Sequence, residues 1–349
     1  MSPSDATKQN SDLPPKARIL QLIGNTLVAR GLGIVAELGI ADLIADTPCT
    51  ATELAAKTDC HAGALYRLLR LLAAQDIFSE DEFGRFHLTS LAAVLRKDGP
   101  DSLHAIVRLA WQDITWDTYY ELPHTIKTGE PAFTKAYGAD FFDYLAANPD
   151  INTYFDASMA LFSGPENDII AGTYDFSGVS RVVDVGGGYG GLLAAVLRAN
   201  PSSQGVLYDQ EQVIANPALL RDAGVINRCE IISGNFFETV PLGGEIYMLK
   251  RILHDWDDDE AIAILRNCTN ALGVDSRLLA IDAVIKPGNT PDPNKNMDVG
   301  IMALTHGRER TEQEFATLFQ NAGLKLTRII PTELPSTLSI VEGQRTERL

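Results

Sequence analysis

The sequence predicts an α/β protein, with a mostly α amino-terminal domain followed by a domain built on a mostly parallel sheet. Three observations carry that prediction. Apolar residues recur at helical spacing to about residue 95, short β-rich runs alternate with helices from Arg181 onward, and two closing strands leave no room for a helix between them. At 349 residues the chain exceeds the usual size of one domain, so more than one core is expected. The pattern divides it into a disordered terminus (1–15), a helical domain (16–100), a helical linker (101–172) and the sheet domain (173–349).

In the first domain Ile19, Leu22, Ile23, Leu27, Ile34, Val35 and Leu38 follow helical spacing. Thr50 and Glu53 form a capping box that opens a short helix, and Leu65, Leu68, Leu69 and Leu72 line one face of a second. Runs at Ile77 to Ser79 and Arg85 to Leu88, joined through Asp81 to Gly84, complete a winged helix. A DNA reader needs a basic stripe. Here four bases (Lys57, Arg67, Arg70, Arg85) meet six acids (Glu53, Asp59, Asp76, Glu80, Asp81, Glu82), so the unit is expected to dimerise rather than bind DNA.

The whole chain points the same way. Its 46 acidic against 29 basic residues, a formal charge of −17, would repel nucleic acid and anionic membrane surfaces. The polar start lacks the features of a secretory signal, and no stretch approaches the roughly 20 apolar residues of a membrane span, so a cytoplasmic protein is expected. Cys49, Cys60, Cys229 and Cys268 show no metal or redox spacing.

The linker is helical and rich in aromatics. Most of these are read as core, although the cluster lies just before the glycine motif and could also roof a flat ligand. Five strands then follow in alternation with helices: Arg181 to Val185, Val206 to Asp209, Cys229 to Ser233, Glu245 to Leu249 and Leu278 to Asp282. Leu324 to Ile330 and Thr337 to Val341 should pair antiparallel.

Directly after the first of these strands comes Asp184-Val185-Gly186-Gly187-Gly188-Tyr189-Gly190-Gly191, a loop through which a ligand can approach the backbone closely. Asp209, at the end of the second strand, is placed to accept from ribose hydroxyls, a need shared by a dinucleotide and by S-adenosylmethionine. The carboxylate of Asp184 suits a sulfonium with its ammonium group better than a pyrophosphate, and the terminal antiparallel pair is unexpected in a dinucleotide domain.

His254 follows the fourth strand, Asp282 ends the fifth, and Glu309 precedes a helix opened by the Thr311/Glu314 capping box. All three therefore fall at the carboxyl edge of the sheet, where open α/β folds bind ligands. A phenol, with a pKa near about 10, needs a proton acceptor at neutral pH, and an imidazole near about 6.5 can serve. A carboxylate on the other ring nitrogen fixes its tautomer; Asp282 and Glu309 are both candidates. The acids Asp257 to Glu260 are read as favourable charges in a first helical turn, with no metal expected, and no G-x-S-x-G elbow supports a hydrolase.

The motifs Asp184 to Gly190, Leu249 to Trp256 (L-K-R-I-L-H-D-W) and Gly307 to Phe315 (G-R-E-R-T-E-Q-E-F) resemble those of the plant-type small-molecule O-methyltransferases, a family that includes caffeic acid and acetylserotonin O-methyltransferases and bacterial antibiotic-tailoring enzymes. The similarity runs from about residue 16 to the end. It implies a Rossmann-like S-adenosylmethionine domain behind a winged-helix dimerisation domain, acting as a homodimer. It also implies methyl transfer to a hydroxyl of a small aromatic secondary metabolite, leaving S-adenosylhomocysteine.

By that resemblance Asp184, Gly186 and Gly188 hold the methionine part of the cofactor and Asp209 the ribose. Gly234, Asn235 and Phe236 hold the adenine, with Lys250 and Arg251 alongside. Most members carry Asp at position 235 and plant members carry Glu at position 282, so both contacts depart from the family pattern. His254 is implied as the base between Asp282 and Glu309. Trp111, Phe155, Met159 and Phe162 are implied as acceptor-pocket walls, and Asp255 as a contact to a substrate hydroxyl. Rival readings are decarboxylation or hydroxylation on the same scaffold, a winged-helix regulator, and an NAD-dependent enzyme.

Overall fold

The computed structural model describes residues 13–99 and 102–346, which divide into two units, up to Trp116 and from Asp117 onward. Of the terminus expected to be disordered, residues 1–12 lie outside the described residues, and Pro15 already begins a helix.

The first unit holds α1 (Pro15–Glu37), α2 (Ile40–Leu43), β1 (Cys49–Thr50), α3 (Ala51–Thr58), α4 (Ala62–Ala73), β2 (Phe78–Glu80), β3 (Arg85–Leu88), α5 (Ser90–Ala93) and α6 (His104–Leu109). Proline at the first helical position suits α1, because its missing N–H is one the helix cannot use there. The capping box at α3 is present in both directions: Glu53 N–H donates to Thr50 Oγ1 at 3.3 Å, and Thr50 N–H donates to Glu53 Oε2 at 2.7 Å. β2 and β3 pair antiparallel as expected, and β1 adds a short third strand that periodicity alone did not reveal. Leu54, Leu69, Leu72, Phe78 and Phe86 close a core of their own.

One expectation needs correcting. Among the described residues, α1 is long and apolar enough, by length and composition, to cross a membrane, with a mean hydropathy of 1.5. Its apolar residues are interrupted by glycine, threonine and arginine, so it does not stand out in the sequence as one apolar stretch. Ile19, Leu20, Leu22, Ile23 and Leu27 are exposed along its first half.

Across the boundary run α7 (Asp113–Tyr120), α8 (Leu122–Thr128), α9 (Ala132–Tyr137), α10 (Phe141–Ala147) and α11 (Pro149–Thr173). The sheet unit continues with β4 (Arg181–Val185), α12 (Gly191–Ala199), β5 (Gln204–Asp209), α13 (Glu211–Ile214), α14 (Ala218–Asp222), β6 (Cys229–Ser233), β7 (Ile246–Lys250) and α15 (Asp258–Ala271). It ends with β8 (Arg277–Asp282), α16 (Asn294–Leu304), α17 (Glu312–Asn321), β9 (Leu324–Pro331) and β10 (Ser339–Arg345).

The strand order is β6-β5-β4-β7-β8-β10-β9, and β10 is antiparallel to both of its neighbours. Apart from Asp184 and Asp282, the buried residues of β4, β5, β7 and β8 are apolar or aromatic, the composition of strands covered on both faces. One face packs on α15 and α17 through Ile264, Leu265, Phe315 and Phe319; the other packs on the end of α11 and on α12 through Ile170, Leu193 and Leu197. Between β4 and its neighbours β5 and β7 the chain leaves in opposite directions, opening a crevice at the strands' carboxyl ends.

Candidate active site

The turn after β4 begins at the core and must expose backbone within a few residues. Gly186 adopts φ 68°, a left-handed conformation that costs glycine nothing, and a Cβ there would stand 2.5 Å from Ile252 Cδ1. Gly188 N–H donates to Asp209 Oδ2 at 2.8 Å, tying the loop to the end of β5. Asp209 also accepts from Gln210 N–H at 2.7 Å, and its backbone carbonyl accepts from Gly234 N–H at 3.0 Å. Gly186, Gly188, Asp209 and Gly234 thus meet at one edge of the sheet. Burial raises the Asp209 carboxyl above the usual range, against the pull of those two N–H groups on its oxygens.

Asp184 sits differently from its sequence neighbours. It is buried beneath the loop and is pushed up to about 7 by burial, although Lys250 opposes the shift. Its place is that of a support under the loop.

Asn235 is exposed; its Oδ1 accepts from Phe237 N–H at 3.0 Å and its Nδ2 donates to Glu238 Oε1 at 3.3 Å. Phe236 is half-buried and lies 5.1 Å from the ring of Phe237 and 6.1 Å from that of Trp256. Trp256 in turn stacks with Phe142 of α10 at 5.8 Å, a contact no sequence signal marked.

Lys250 and Arg251 end β7 turned toward α11. Arg251 (φ 53°) donates twice to Glu166, at 2.8 and 3.3 Å, and Lys250 Nζ donates to Asn167 Oδ1 at 2.7 Å with Glu166 3.5 Å away. Burial pulls the Lys250 ammonium down to about 8 despite the attraction of Glu166. Neither Glu166 nor Asn167 was legible beforehand, since nothing in S-G-P-E-N separates a buried acid from a surface one.

His254 lies in a 3₁₀ turn, Leu253–Asp255, and is 8% exposed. Its Nδ1 is 3.0 Å from Glu309 Oε1, which is fully enclosed. Its Nε2 is 3.6 Å from Asp255 Oδ1, too long for a hydrogen bond. Asp282 is wholly buried close by, with no hydrogen-bond partner for either oxygen among the described residues. Of the two carboxylates left open as partners of the ring, the structure joins Glu309.

Burial depresses the pKa of His254, but Asp255, Glu309 and Asp282 together outweigh it and raise the imidazole to about 9, not near 6.5. Burial carries Asp282 up to about 6 against the attraction of His254, so the cluster shares its protons near neutrality.

The four residues proposed as acceptor walls belong to both units of the chain. Phe155 lies 5.3 Å from Phe141, edge to face, and Met159 is half-buried on the same helix α11. The side chain of Phe162 lies outside the described residues. Trp111 belongs to the first unit, where it packs on Trp116 at 4.7 Å and under the Arg30 guanidinium.

A glycine loop, a carboxylate at the end of the next strand and a buried imidazole–carboxylate pair at one sheet edge define a group-transfer enzyme of the Rossmann-like class. Comparison with known proteins makes this particular. Residues 119–325 match the O-methyltransferase domain and residues 20–98 the O-methyltransferase dimerisation domain, so the chain belongs to the O-methyltransferase family. The chain is 41% identical to phenazine O-methyltransferase PhzM of Lysobacter antibioticus over 95% of its length and 97% of that protein. It is 38% identical to the mitomycin biosynthesis 6-O-methyltransferase of Streptomyces lavendulae, over 87% of each. The crystal structure of the O-methyltransferase NcsB1 from neocarzinostatin biosynthesis, in complex with S-adenosylmethionine and 2-hydroxy-5-methyl naphthoic acid, superposes with a TM-score of 0.78 at 33% identity. That match covers 92% of this chain and 96% of NcsB1.

Proposed function

We propose that this protein transfers a methyl group from S-adenosylmethionine to a hydroxyl of a small aromatic secondary metabolite, with His254 as the proton acceptor. The observation that carries the reading is the enclosed His254–Glu309 pair, 3.0 Å apart, at the carboxyl edge of the sheet.

The residues present fit the cofactor. The loop at Gly186 and Gly188 offers backbone close to a ligand, Asp209 offers a carboxylate for ribose hydroxyls, and Phe236 offers a face for the adenine. Asn235 retains an acceptor at the adenine position, and Lys250 and Arg251 stand alongside. When bound, the cofactor supplies an electrophilic methyl carbon.

Everything else falls to the chain. Glu309 accepts a hydrogen bond from Nδ1–H, which leaves Nε2 to take the proton of the acceptor hydroxyl. Glu309 then stabilises the imidazolium that results. A ring with a pKa near 9 holds its proton at neutral pH in the free enzyme, and a sulfonium cation beside it favours the neutral, basic form by like-charge repulsion. Asp282 and Asp255 set how strongly the ring binds its proton, and in this reading Asp255 meets a second hydroxyl of the acceptor.

Phe155 and Met159, both on α11, are the acceptor-pocket walls in this reading. The protein works as a homodimer through the apolar face of α1, and its charge of −17 leaves nucleic acid without a role. Incubation with methyl-labelled S-adenosylmethionine and a panel of hydroxylated phenazines, naphthoates and benzoates should transfer label to at least one oxygen. Binding of the cofactor with no label transferred to any aromatic hydroxyl would favour decarboxylation or hydroxylation on the same scaffold.

A further inference from the structure

We propose that Arg310 is a positioning residue for His254, holding the backbone on both sides of the imidazole so that Glu309 and the ring stay in register. This rests on the reading of His254 as the base.

Arg310 is 1% exposed, and its guanidinium is spent on one short stretch of chain. It donates to the carbonyl of Leu253 at 2.6 Å and to that of Trp256 at 2.9 Å, and twice to Asp258 Oδ1 at 2.8 and 3.0 Å. The two carbonyls bracket His254. A 3₁₀ turn of three residues has little internal hydrogen bonding to define it. The planar fork of arginine reaches three acceptors at once, which a lysine ammonium on its flexible stem does not reproduce.

The same loop acts on the turn twice more. A Cβ on Gly307 would stand 2.1 Å from the carbonyl oxygen of His254 and 2.5 Å from the carbonyl carbon of Asp255, so the two backbones touch only because residue 307 is glycine. Glu309 holds the ring. The loop is itself anchored: Glu309 N–H donates to Asp298 Oδ1 at 2.9 Å, the carbonyl of Arg310 accepts from Ile285 N–H at 3.1 Å, and Thr311 caps α17. Three residues of this short loop, Gly307, Glu309 and Arg310, therefore fix the imidazole, the backbone beneath it and the carbonyls flanking it. Displacement of a catalytic group by 1 Å can cost about 10² in rate, the scale of effect that such bracing controls.

The test compares Arg310→Lys, Gly307→Ala and His254→Gln, alone and with each of the first two combined with the third, in the full chain. Turnover of an accepted phenol, cofactor Kd by calorimetry and thermal unfolding are read for each. Arg310→Lys and Gly307→Ala should each lose at least about tenfold in kcat while cofactor Kd stays within about twofold, and neither should slow His254→Gln further. Wild-type kcat in Arg310→Lys, or a loss that repeats in full on the His254→Gln background, overturns the proposal. Should Arg310→Lys not fold, Asp258→Ala removes one acceptor of the guanidinium from its exposed side. It must slow the wild type and leave His254→Gln unchanged, and any other result again overturns the proposal. Undiminished turnover in His254→Gln alone is a separate outcome, and it removes the base itself.

Discussion

His254 Nδ1 and Glu309 Oε1 stand 3.0 Å apart, while Asp282, another carboxylate beside the ring, makes no hydrogen bond to it. The two acids should therefore fail differently. Glu309→Gln can no longer stabilise the imidazolium and should lower kcat by about 10² or more. Asp282→Asn should cost much less in kcat, and by removing a negative charge it should shift the pH profile of kcat/KM to lower pH. Equal losses in the two variants, with no shift in either profile, would contradict this division of roles.

The raised imidazole gives a pH signature. With the cofactor limiting, kcat/KM should rise about tenfold per pH unit toward a midpoint near 9, and at saturating cofactor kcat should show a lower midpoint. Because the folded-state pKa lies above the unfolded one, the contribution of His254 to stability is complete below about 6.5 and lost as pH climbs through about 9. Melting curves of the apo protein and of His254→Gln should accordingly converge between those values. Curves that stay parallel would refute the shift.

Glu166 joins Lys250 and Arg251 inside the fold, and removing it leaves two buried cations facing each other. Glu166→Ala should cost about 3–5 kcal/mol of stability, measured by denaturant unfolding, and should weaken cofactor binding. A loss below about 1 kcal/mol would mean that water readily replaces the carboxylate.

The exposed apolar stripe of α1 belongs to a segment that matches a dimerisation domain from residue 20 onward. Ile23→Glu combined with Leu27→Glu should give a monomeric mass by sedimentation without loss of secondary structure. A dimer that survives the pair of charges would place its interface elsewhere.

Much of the architecture could be read in advance because it depends on local patterns. The capping boxes at Thr50 and Thr311, the strands Arg181–Val185 and Cys229–Ser233 and the antiparallel closing pair all lie where spacing put them. What escaped is what depends on distant burial. Glu166 and Asn167 look like ordinary polar residues until α11 packs against β7, and Arg310 was only one letter of a motif until its three acceptors were brought around it. The ring's pKa escaped for the same reason. An imidazole near 6.5 is the property of a solvated histidine, and only folding surrounds this one with three carboxylates.

The role of His254 is tested most directly by single-turnover methyl transfer in His254→Gln, with labelled cofactor preloaded and an accepted phenol added. A general base predicts a fall of about 10² or more in the rate, unchanged cofactor Kd and a flat response to pH between 6.5 and 9. A rate within twofold of the wild type, still rising with pH, would show that some other group takes the proton.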